Sequence, residues 1–97
     1  MKFELSELAL EDIDNIWAYT VLNWSISHAE KYYKEIFDTI ELICSNPKIG
    51  IFLNEVKASH RKRIVGLHMI VYKVQNEIVF VDRVLHQRLD VESQLKG

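Results

Sequence analysis

The spacing of apolar residues changes along the chain, and this change restricts the possible folds. Up to Cys44 the apolar side chains recur every three or four residues, which is the period of an amphipathic helix. From Arg61 onward the segments RKRIV, LHMIVYKV and EIVFVDRVL are short apolar runs of the kind that form β-strands. Helices followed by consecutive strands are typical of an α+β fold.

The N-terminal segment predicts a short strand followed by a helix. Phe3 and Leu5 alternate with charged neighbours, as the residues of a strand do. Ser6 then provides a candidate N-cap for the helix. The apolar stripe of this helix consists of Ile13, Ile16, Trp17, Thr20, Val21 and Trp24.

A second helix is predicted after a break at residues 25–27, although neither glycine nor proline separates the two helices. The apolar stripe changes phase after Trp24, and Ser27 with Glu30 has the spacing of a capping box. The helix should end at residues 45–47, because Pro47 cannot continue the backbone hydrogen bonding. Its apolar stripe consists of Ala29, Tyr32, Tyr33, Ile36, Phe37, Ile40 and Cys44.

The second half of the chain predicts a loop and three strands. Residues 48–60 lack a regular period, and Ile51, Phe52 and Leu53 are expected to attach this loop to the core. Gly66 separates the first two strands, and Asn76 is suited to a left-handed turn between the last two. The predicted order is β-α-α-β-β-β, with two antiparallel helices packed on one face of a mostly antiparallel sheet. Residues 1–97 are expected to form a single domain.

Composition excludes several classes of protein. The chain has 97 residues, 48% of them hydrophobic and 27% charged, which is the composition of one soluble globular domain. A single cysteine, Cys44, cannot build a disulfide framework, which suits a reducing cytoplasm. No apolar stretch approaches the roughly 20 residues that a membrane-spanning helix needs.

Motifs for metal, nucleophilic or phosphate chemistry are not found in the sequence. The four histidines and Cys44 do not have the short spacings of zinc ligands. There is no Gly-x-Ser-x-Gly turn, and the three glycines are too scattered to form a phosphate-binding loop. We therefore expect no metal, no cofactor and no small-molecule ligand.

Charge is distributed unevenly between the two halves. Residues 1–47 carry three lysines and nine carboxylates, whereas residues 48–97 carry nine lysines and arginines and five carboxylates. If the strands pair as hairpins, Arg83 comes close to Arg61 or Arg63, with His86 and Arg88 beyond it. The result would be one cationic patch suited to a nucleic acid or an acidic protein segment. The same charges would also fit a solvated edge. The further residues of this prediction are Lys57, His60 and Lys62, with Glu55, Asp82 and Asp90 as their partners on a solvated edge.

Four motifs occur in a defined order along nearly the whole chain. They are Ala9-x-x-Asp12-Ile13-x-x-Ile16-Trp17, Asn46-Pro47-x-x-Gly50, Ile70-Val71-Tyr72-Lys73 and Arg83-Val84-Leu85-His86-Gln87-Arg88-Leu89-Asp90. Together they resemble the ParE branch of the RelE/ParE toxin superfamily, the toxin halves of bacterial toxin–antitoxin modules. The resemblance implies the same β-α-α-β-β-β fold.

The resemblance to ParE toxins also implies a function. It implies a cytoplasmic toxin that inhibits DNA gyrase without chemistry of its own and arrests growth. A ParD-like antitoxin would wrap its C-terminal segment around the toxin, giving a hetero-oligomer. The target-binding residues would be Arg61, Arg63, Arg83, His86 and Arg88. The antitoxin-binding residues would be Trp17, Trp24, Arg63, Tyr72 and Arg83.

The alternative is a ribosome-dependent mRNA endoribonuclease of the RelE type. Such an enzyme needs groups that move protons and cations that hold the phosphate. In this alternative His86, Arg83 and Arg61 would be catalytic, with Glu55 or Asp82 orienting His86. Residues 87–97 contain no aromatic side chain, whereas many ribonuclease relatives carry one there, so the sequence favours gyrase inhibition. A third possibility is an interaction domain without toxicity.

Overall fold

The computed structural model describes residues 1–53 and 59–88, so the predictions on Glu55, Lys57, Leu89 and Asp90 lie outside the described residues. A 3₁₀ helix at Pro47–Ile49 follows the second of two α-helices. The elements are β1 (Lys2–Leu5), α1 (Glu7–Asn23), α2 (Ile26–Ser45), β2 (Ile51–Phe52), β3 (Arg61–Val65), β4 (His68–Gln75) and β5 (Ile78–His86).

The strands form one sheet in the order β1-β5-β4-β3-β2. β1 runs parallel to β5, and the other neighbouring pairs are antiparallel, so the sheet is mostly antiparallel as predicted. A two-residue turn connects β4 to β5. Asn76 and Glu77 both have positive φ, 53° and 61°, which matches the twist of a hairpin. The left-handed conformation expected of Asn76 is confirmed.

The main core lies between the two helices and one face of the sheet. Ile13 of α1 and Ile36 and Ile40 of α2 pack there with Ile70 and Val79 of the central strands. A smaller cluster lies on the other face and consists of Leu53, Met69, Val71 and Leu85. β4 is therefore buried on both faces, as its continuous apolar run indicates.

The start of α2 differs from the prediction. Ser25, rather than Ser27, is the N-cap, and its Oγ accepts a hydrogen bond from the backbone N–H of His28 at 3.0 Å. Ser25 has the extended backbone that an N-cap needs, whereas Ser27 already lies inside the helix. Trp24 follows the last residue of α1 and is exposed, so it does not continue the buried stripe. The N-cap predicted at Ser6 is confirmed, because its side chain accepts from the N–H of Ala9.

The segment after α2 contains a strand that the sequence pattern does not reveal. Ile51 and Phe52 form β2, which pairs with Lys62 and Arg61 of β3. Both side chains of β2 are exposed, and only Leu53 is buried, so the expectation that all three pack on the core is wrong for Ile51 and Phe52. Two residues are too few to show an alternating pattern.

An irregularity in the pairing of β4 with β5 decides which way the end of β5 faces. Tyr72 pairs with Val81, but Val71 pairs with Arg83, so Asp82 is an extra residue in β5. Such a bulge reverses the alternation of the residues that follow it. As a result Val84 joins the core under the helices, Leu85 joins the opposite cluster, and His86 pairs with His68.

Neither α1 nor α2 is long and apolar enough to cross a membrane, and this holds for the described part of the chain.

Candidate functional site

A groove of about 810 Å³ opens between the helices and one end of the sheet. Its walls come from α1, α2, the turn between β3 and β4, and the end of β5. Three histidines line it, His28, His68 and His86, and we call it the histidine groove. Tyr19, Trp24 and Leu67 also line it and are 64%, 70% and 67% exposed. Large apolar side chains that are exposed together mark a candidate binding site for another protein.

Tyr32 organises the floor of the histidine groove. Its hydroxyl donates to the carbonyl of Val65 at 2.9 Å and accepts from the backbone N–H of Leu67 at 3.2 Å. The hydroxyl also lies 2.6 Å from Nδ1 of His68. Because the single hydroxyl proton goes to the carbonyl, Nδ1 of neutral His68 must be the donor in this third bond. Burial raises the pKa of Tyr32, so the phenol stays protonated.

Gly66 allows this arrangement. Its φ is +56°, and a Cβ at this position would lie 2.5 Å from a ring carbon of Tyr32. Gln87 holds the same turn from the other side, since its side-chain amide donates to the carbonyl of Gly66 at 2.9 Å. The turn between β3 and β4, which carries the exposed Leu67, is thus fixed by contacts with α2 and with the residue after β5.

His86 lies beside His68 across the end of the sheet. The two rings are edge to face with centroids 5.4 Å apart. Nδ1 of His86 accepts a hydrogen bond from the backbone N–H of Arg88 at 3.1 Å, which places the proton of the neutral ring on Nε2. Asp82, one of the two carboxylates expected to orient His86, lies 3.8 Å from Nε2 of His60.

Arg83 forms an ion pair inside the protein. Its Nε and Nη2 donate to the two carboxylate oxygens of Asp12 at 2.8 and 2.9 Å, and the backbone N–H of Val84 donates to the same carboxylate at 2.9 Å. The side chains of Arg83 and Asp12 are only 17% and 13% exposed. This bidentate pair joins α1 to the bulged end of β5.

Arg61 and Arg63 lie elsewhere, on β3. Nη1 of Arg61 donates to the carbonyl of Gly50 at 2.8 Å, and its guanidinium stacks 3.7 Å above the ring of Phe52. β4 lies between β3 and β5, so the strand containing Arg83 is about 10 Å away. Arg61 contacts Gly50 and Phe52, whereas Arg83 contacts Asp12. The single patch expected to contain both arginines is therefore not formed.

Tyr72 is completely buried and cannot contact an antitoxin in this structure, which corrects its predicted role. Its hydroxyl donates to the carbonyl of Pro47 at 2.7 Å and accepts from the N–H of Gly50 at 2.9 Å. Burial raises its pKa, an effect that the Gly50 hydrogen bond and the two nearby arginines only partly offset. The role of Tyr72 in the described structure is to hold the segment after α2 on the sheet.

The other predicted site residues divide between two regions. Trp24, Arg83 and His86 line the histidine groove, whereas Arg61 and Arg63 do not. Trp17 is half-buried and packs edge-on against Tyr33, with ring centroids 5.8 Å apart. Arg88 is exposed just after β5. No arrangement of three or more His, Cys, Asp or Glu side chains able to hold a metal ion occurs within residues 1–53 and 59–88.

The sequence does not identify several residues of the groove as site residues. It places Tyr32 in the apolar stripe of α2, and it offers His68 only as one of four histidines without the spacing of zinc ligands. The sequence does contain one signal for the position of these residues. The hairpin turn at Asn76 and Glu77 predicts which residues of β4 and β5 pair, with an error of one residue at the end of β5. The bulge at Asp82 supplies that one residue, and no pattern in the sequence marks it.

Comparison with known proteins gives a consistent result. The family described as ParE toxin of type II toxin-antitoxin system, parDE, matches residues 3–91. Toxin ParE1 of Mycobacterium tuberculosis is 36% identical over 95 residues, which cover 97% of each chain. Toxin ParE1 of Caulobacter vibrioides is 32% identical over 93 residues, which cover 96% of each chain.

Two solved structures share the fold at low sequence identity. The chromosomal ParDE TA system from P. aeruginosa contains a chain that superposes with a TM-score of 0.78 at 15% identity, covering 89% of this chain and 95% of that one. For the YoeB-YefM complex from Staphylococcus aureus the TM-score is 0.58 at 19% identity, with 90% and 97% covered. These likenesses confirm the predicted α+β arrangement of two helices on a mostly antiparallel sheet.

Proposed function

The chain belongs to the ParE toxin family of type II toxin–antitoxin systems, and from this premise we propose that it inhibits DNA gyrase in the cytoplasm. The observation that carries the proposal is the match of the ParE family to residues 3–91, which include all described helices and strands except Lys2, the first residue of β1. Under this proposal residues 1–97 act as one toxin domain, and growth arrest follows from binding to gyrase.

The arrangement of the arginines supports inhibition by binding rather than by catalysis. An RNA-cleaving site needs a cation on the scissile phosphate next to the groups that move protons. Arg83 is close to the groove that contains His86, but its guanidinium is paired with Asp12. Arg61, the other cation considered for this role, lies on β3, and β4 separates it from His86 on β5. The toxin would therefore act as a non-catalytic gyrase poison.

A supercoiling assay tests the proposal directly. Purified gyrase is incubated with relaxed plasmid, ATP and an excess of the purified chain. Gyrase inhibition predicts loss of supercoiling and accumulation of cleaved plasmid after protein denaturation. Normal supercoiling without cleaved plasmid at excess toxin would refute the proposal.

A cognate ParD-like antitoxin is the second proposed partner. Exposed Tyr19, Trp24 and Leu67 offer apolar contact area along the histidine groove, and Lys31 with the groove histidines offers sites for carboxylates. An amphipathic acidic helix has the chemistry to cover this surface. We place the C-terminal segment of the antitoxin there, which retains Trp24 among the predicted contacts.

The endoribonuclease alternative has one observation in its favour. His86, His68 and the hydroxyl of Tyr32 lie together on the floor of the groove, and such groups can transfer protons. Cleavage of ribosome-bound mRNA that is abolished by His86→Ala would establish this activity. An intact message at toxin concentrations that arrest gyrase would exclude it.

A further inference from the structure

Four basic residues gather where β2 pairs with β3, and we call this region the cationic edge. Its members are Lys48, Arg61, Lys62 and Arg63. Within residues 1–53 and 59–88 none of the four forms a salt bridge, whereas Lys34 and Arg83 are each paired with an aspartate. Unneutralised charges this close together repel one another, so they favour an anionic ligand.

The geometry of the cationic edge is fixed by the fold. Arg61 is held by the carbonyl of Gly50 and by the ring of Phe52, and its Nη1 lies 3.4 Å from the carbonyl of Lys48. Arg61 and Arg63 project to the face of the sheet that carries Tyr72, and both lower the pKa of this phenol. Lys62 projects to the other face because strand residues alternate. The charges therefore lie on both sides of the edge.

We propose that the cationic edge binds the phosphate backbone of DNA. Residues two apart on a strand are about 6.7 Å apart. Successive phosphates of one DNA strand rise by about 3.4 Å along the helix axis and also wind around it, so their distance in space is larger than the rise and comparable to the Arg61–Arg63 separation. Guanidinium groups also bind phosphate oxygens in bidentate fashion. This inference rests on the proposed function. Gyrase acts on DNA, and a toxin bound to gyrase would contact that DNA directly through the cationic edge.

An acidic protein segment is the other polyanion to consider. Such a segment would bind most strongly by adding a strand to the sheet, with its carboxylates facing the basic side chains. β2 already occupies the positions opposite Arg61 and Lys62. At Arg61 and Lys62 a ligand therefore binds through charge rather than by pairing with β3, and a repeating phosphate backbone supplies such charge.

The expected affinity is weak and depends strongly on salt. Four phosphate contacts predict a slope of about −3.6 for the logarithm of the binding constant against the logarithm of the salt concentration. At physiological salt we expect a dissociation constant of about 10⁻⁶ to 10⁻⁴ M, as for non-specific DNA binding in general. Because the net charge is −2, this affinity must come from a local basic surface and not from the protein as a whole.

Fluorescence anisotropy with a labelled duplex of about 20 base pairs tests the proposal by the salt dependence of binding. The double variant Lys48→Gln/Lys62→Gln is compared with the control Lys2→Gln/Lys34→Gln, which removes the same charge from exposed positions on β1 and α2. The edge variant should bind roughly 100-fold more weakly at about 50 mM salt, with a slope that is about 1.8 smaller in magnitude. The control variant should bind like the unmodified chain. Arg63→Gln provides a second, single substitution at the edge, and circular dichroism verifies that all variants are folded.

Three outcomes would overturn the proposal. Equal weakening by the two double variants would mean that only bulk charge matters. An unchanged slope in the edge variant would mean that Lys48 and Lys62 do not contact phosphates. Binding of poly-glutamate that depends on the edge, combined with DNA binding that does not, would assign the edge to an acidic protein. Because gyrase is absent from the assay, failure here is distinct from failure in the supercoiling assay.

Discussion

Arg83 shows how the surroundings of a single residue decide its role. In sequence it is a basic residue near the end of a strand, which suggests contact with a target. In the structure it donates two hydrogen bonds to Asp12, and the backbone N–H of Val84 adds a third to the same carboxylate. Replacing either partner would leave a charge in a mostly buried position, and this is costly. The first effect of an Arg83 substitution should therefore be on folding, with effects on target binding as a consequence.

The substitution Asp12→Ala should lower the free energy of unfolding by about 2–4 kcal/mol, because it removes the acceptor of three hydrogen bonds and the buried carboxylate that pairs with Arg83. Lys34→Ala is the matched control, since it breaks the exposed Lys34–Asp38 pair and should cost less than about 0.5 kcal/mol. Urea denaturation followed by circular dichroism measures both. Equal effects of the two substitutions would show that the Asp12–Arg83 pair does not stabilise the junction of α1 with β5.

Tyr72 predicts a dependence of stability on alkaline pH. Its pKa in the folded protein is raised by burial, whereas an unfolded tyrosine titrates near pH 10. Above about pH 10 the unfolded chain loses this proton first, so stability is complete below that pH and falls as the pH rises toward the folded pKa. Tyr32, whose pKa is also raised, contributes in the same direction. Tyr72→Phe should lower the free energy of unfolding at neutral pH, because the hydrogen bonds of the hydroxyl are lost. The same variant should lose less stability than the unmodified chain as the pH rises, because it has one buried phenol fewer to titrate.

Denaturation midpoints measured at intervals from neutral to strongly alkaline pH test this expectation. Tyr33→Phe serves as the control, since Tyr33 is exposed. The stability of this variant should decline with pH as steeply as that of the unmodified chain. If Tyr72→Phe declines as steeply as the unmodified chain, the titration of Tyr72 does not govern alkaline stability.

At the level of the elements, the sequence predicts what depends on repeated patterns and misses what depends on one residue. The phase change after Trp24 is enough to separate two helices, but it does not identify which of two nearby serines is the cap. The hairpin turn at Asn76 gives the pairing of β4 with β5, but not the extra residue at Asp82. That residue brings His86 opposite His68 and so forms the floor of the histidine groove. β2 is missed because two residues have no period.

The corrected helix start leads to a comparison of two serines. Ser25→Ala should destabilise the protein by about 1 kcal/mol, because the N–H of His28 loses its side-chain acceptor. Ser27→Ala should change stability by less than about 0.5 kcal/mol, since Ser27 is exposed inside the first turn. Thermal or urea unfolding of both variants distinguishes them. The reverse order of effects would restore Ser27 as the cap.

At the level of the whole molecule, the two candidate surfaces are separate. The histidine groove opens at the end of β5, near the connection of the two helices. The cationic edge lies at the other side of the sheet, where β2 pairs with β3. A protein with two separate binding surfaces can in principle hold an antitoxin on one while the other still faces its target. In that case neutralisation requires the antitoxin to extend beyond the groove or to block access to gyrase sterically.

The groove can be tested as an antitoxin site with two exposed residues near the end of α1. Trp24 is 70% exposed and lines the groove, whereas Leu22 is 84% exposed and does not. Trp24→Ala should weaken binding of the cognate antitoxin by about 2 kcal/mol, or roughly 30-fold, as the loss of a central aromatic contact does. Leu22→Ala should leave binding unchanged, and neither substitution should alter stability by more than about 0.5 kcal/mol because both side chains are exposed. Titration calorimetry with the purified antitoxin measures both affinities. A Trp24 variant that binds normally, or a Leu22 variant that is equally impaired, would move the antitoxin away from the groove and leave its histidine floor available to a different ligand.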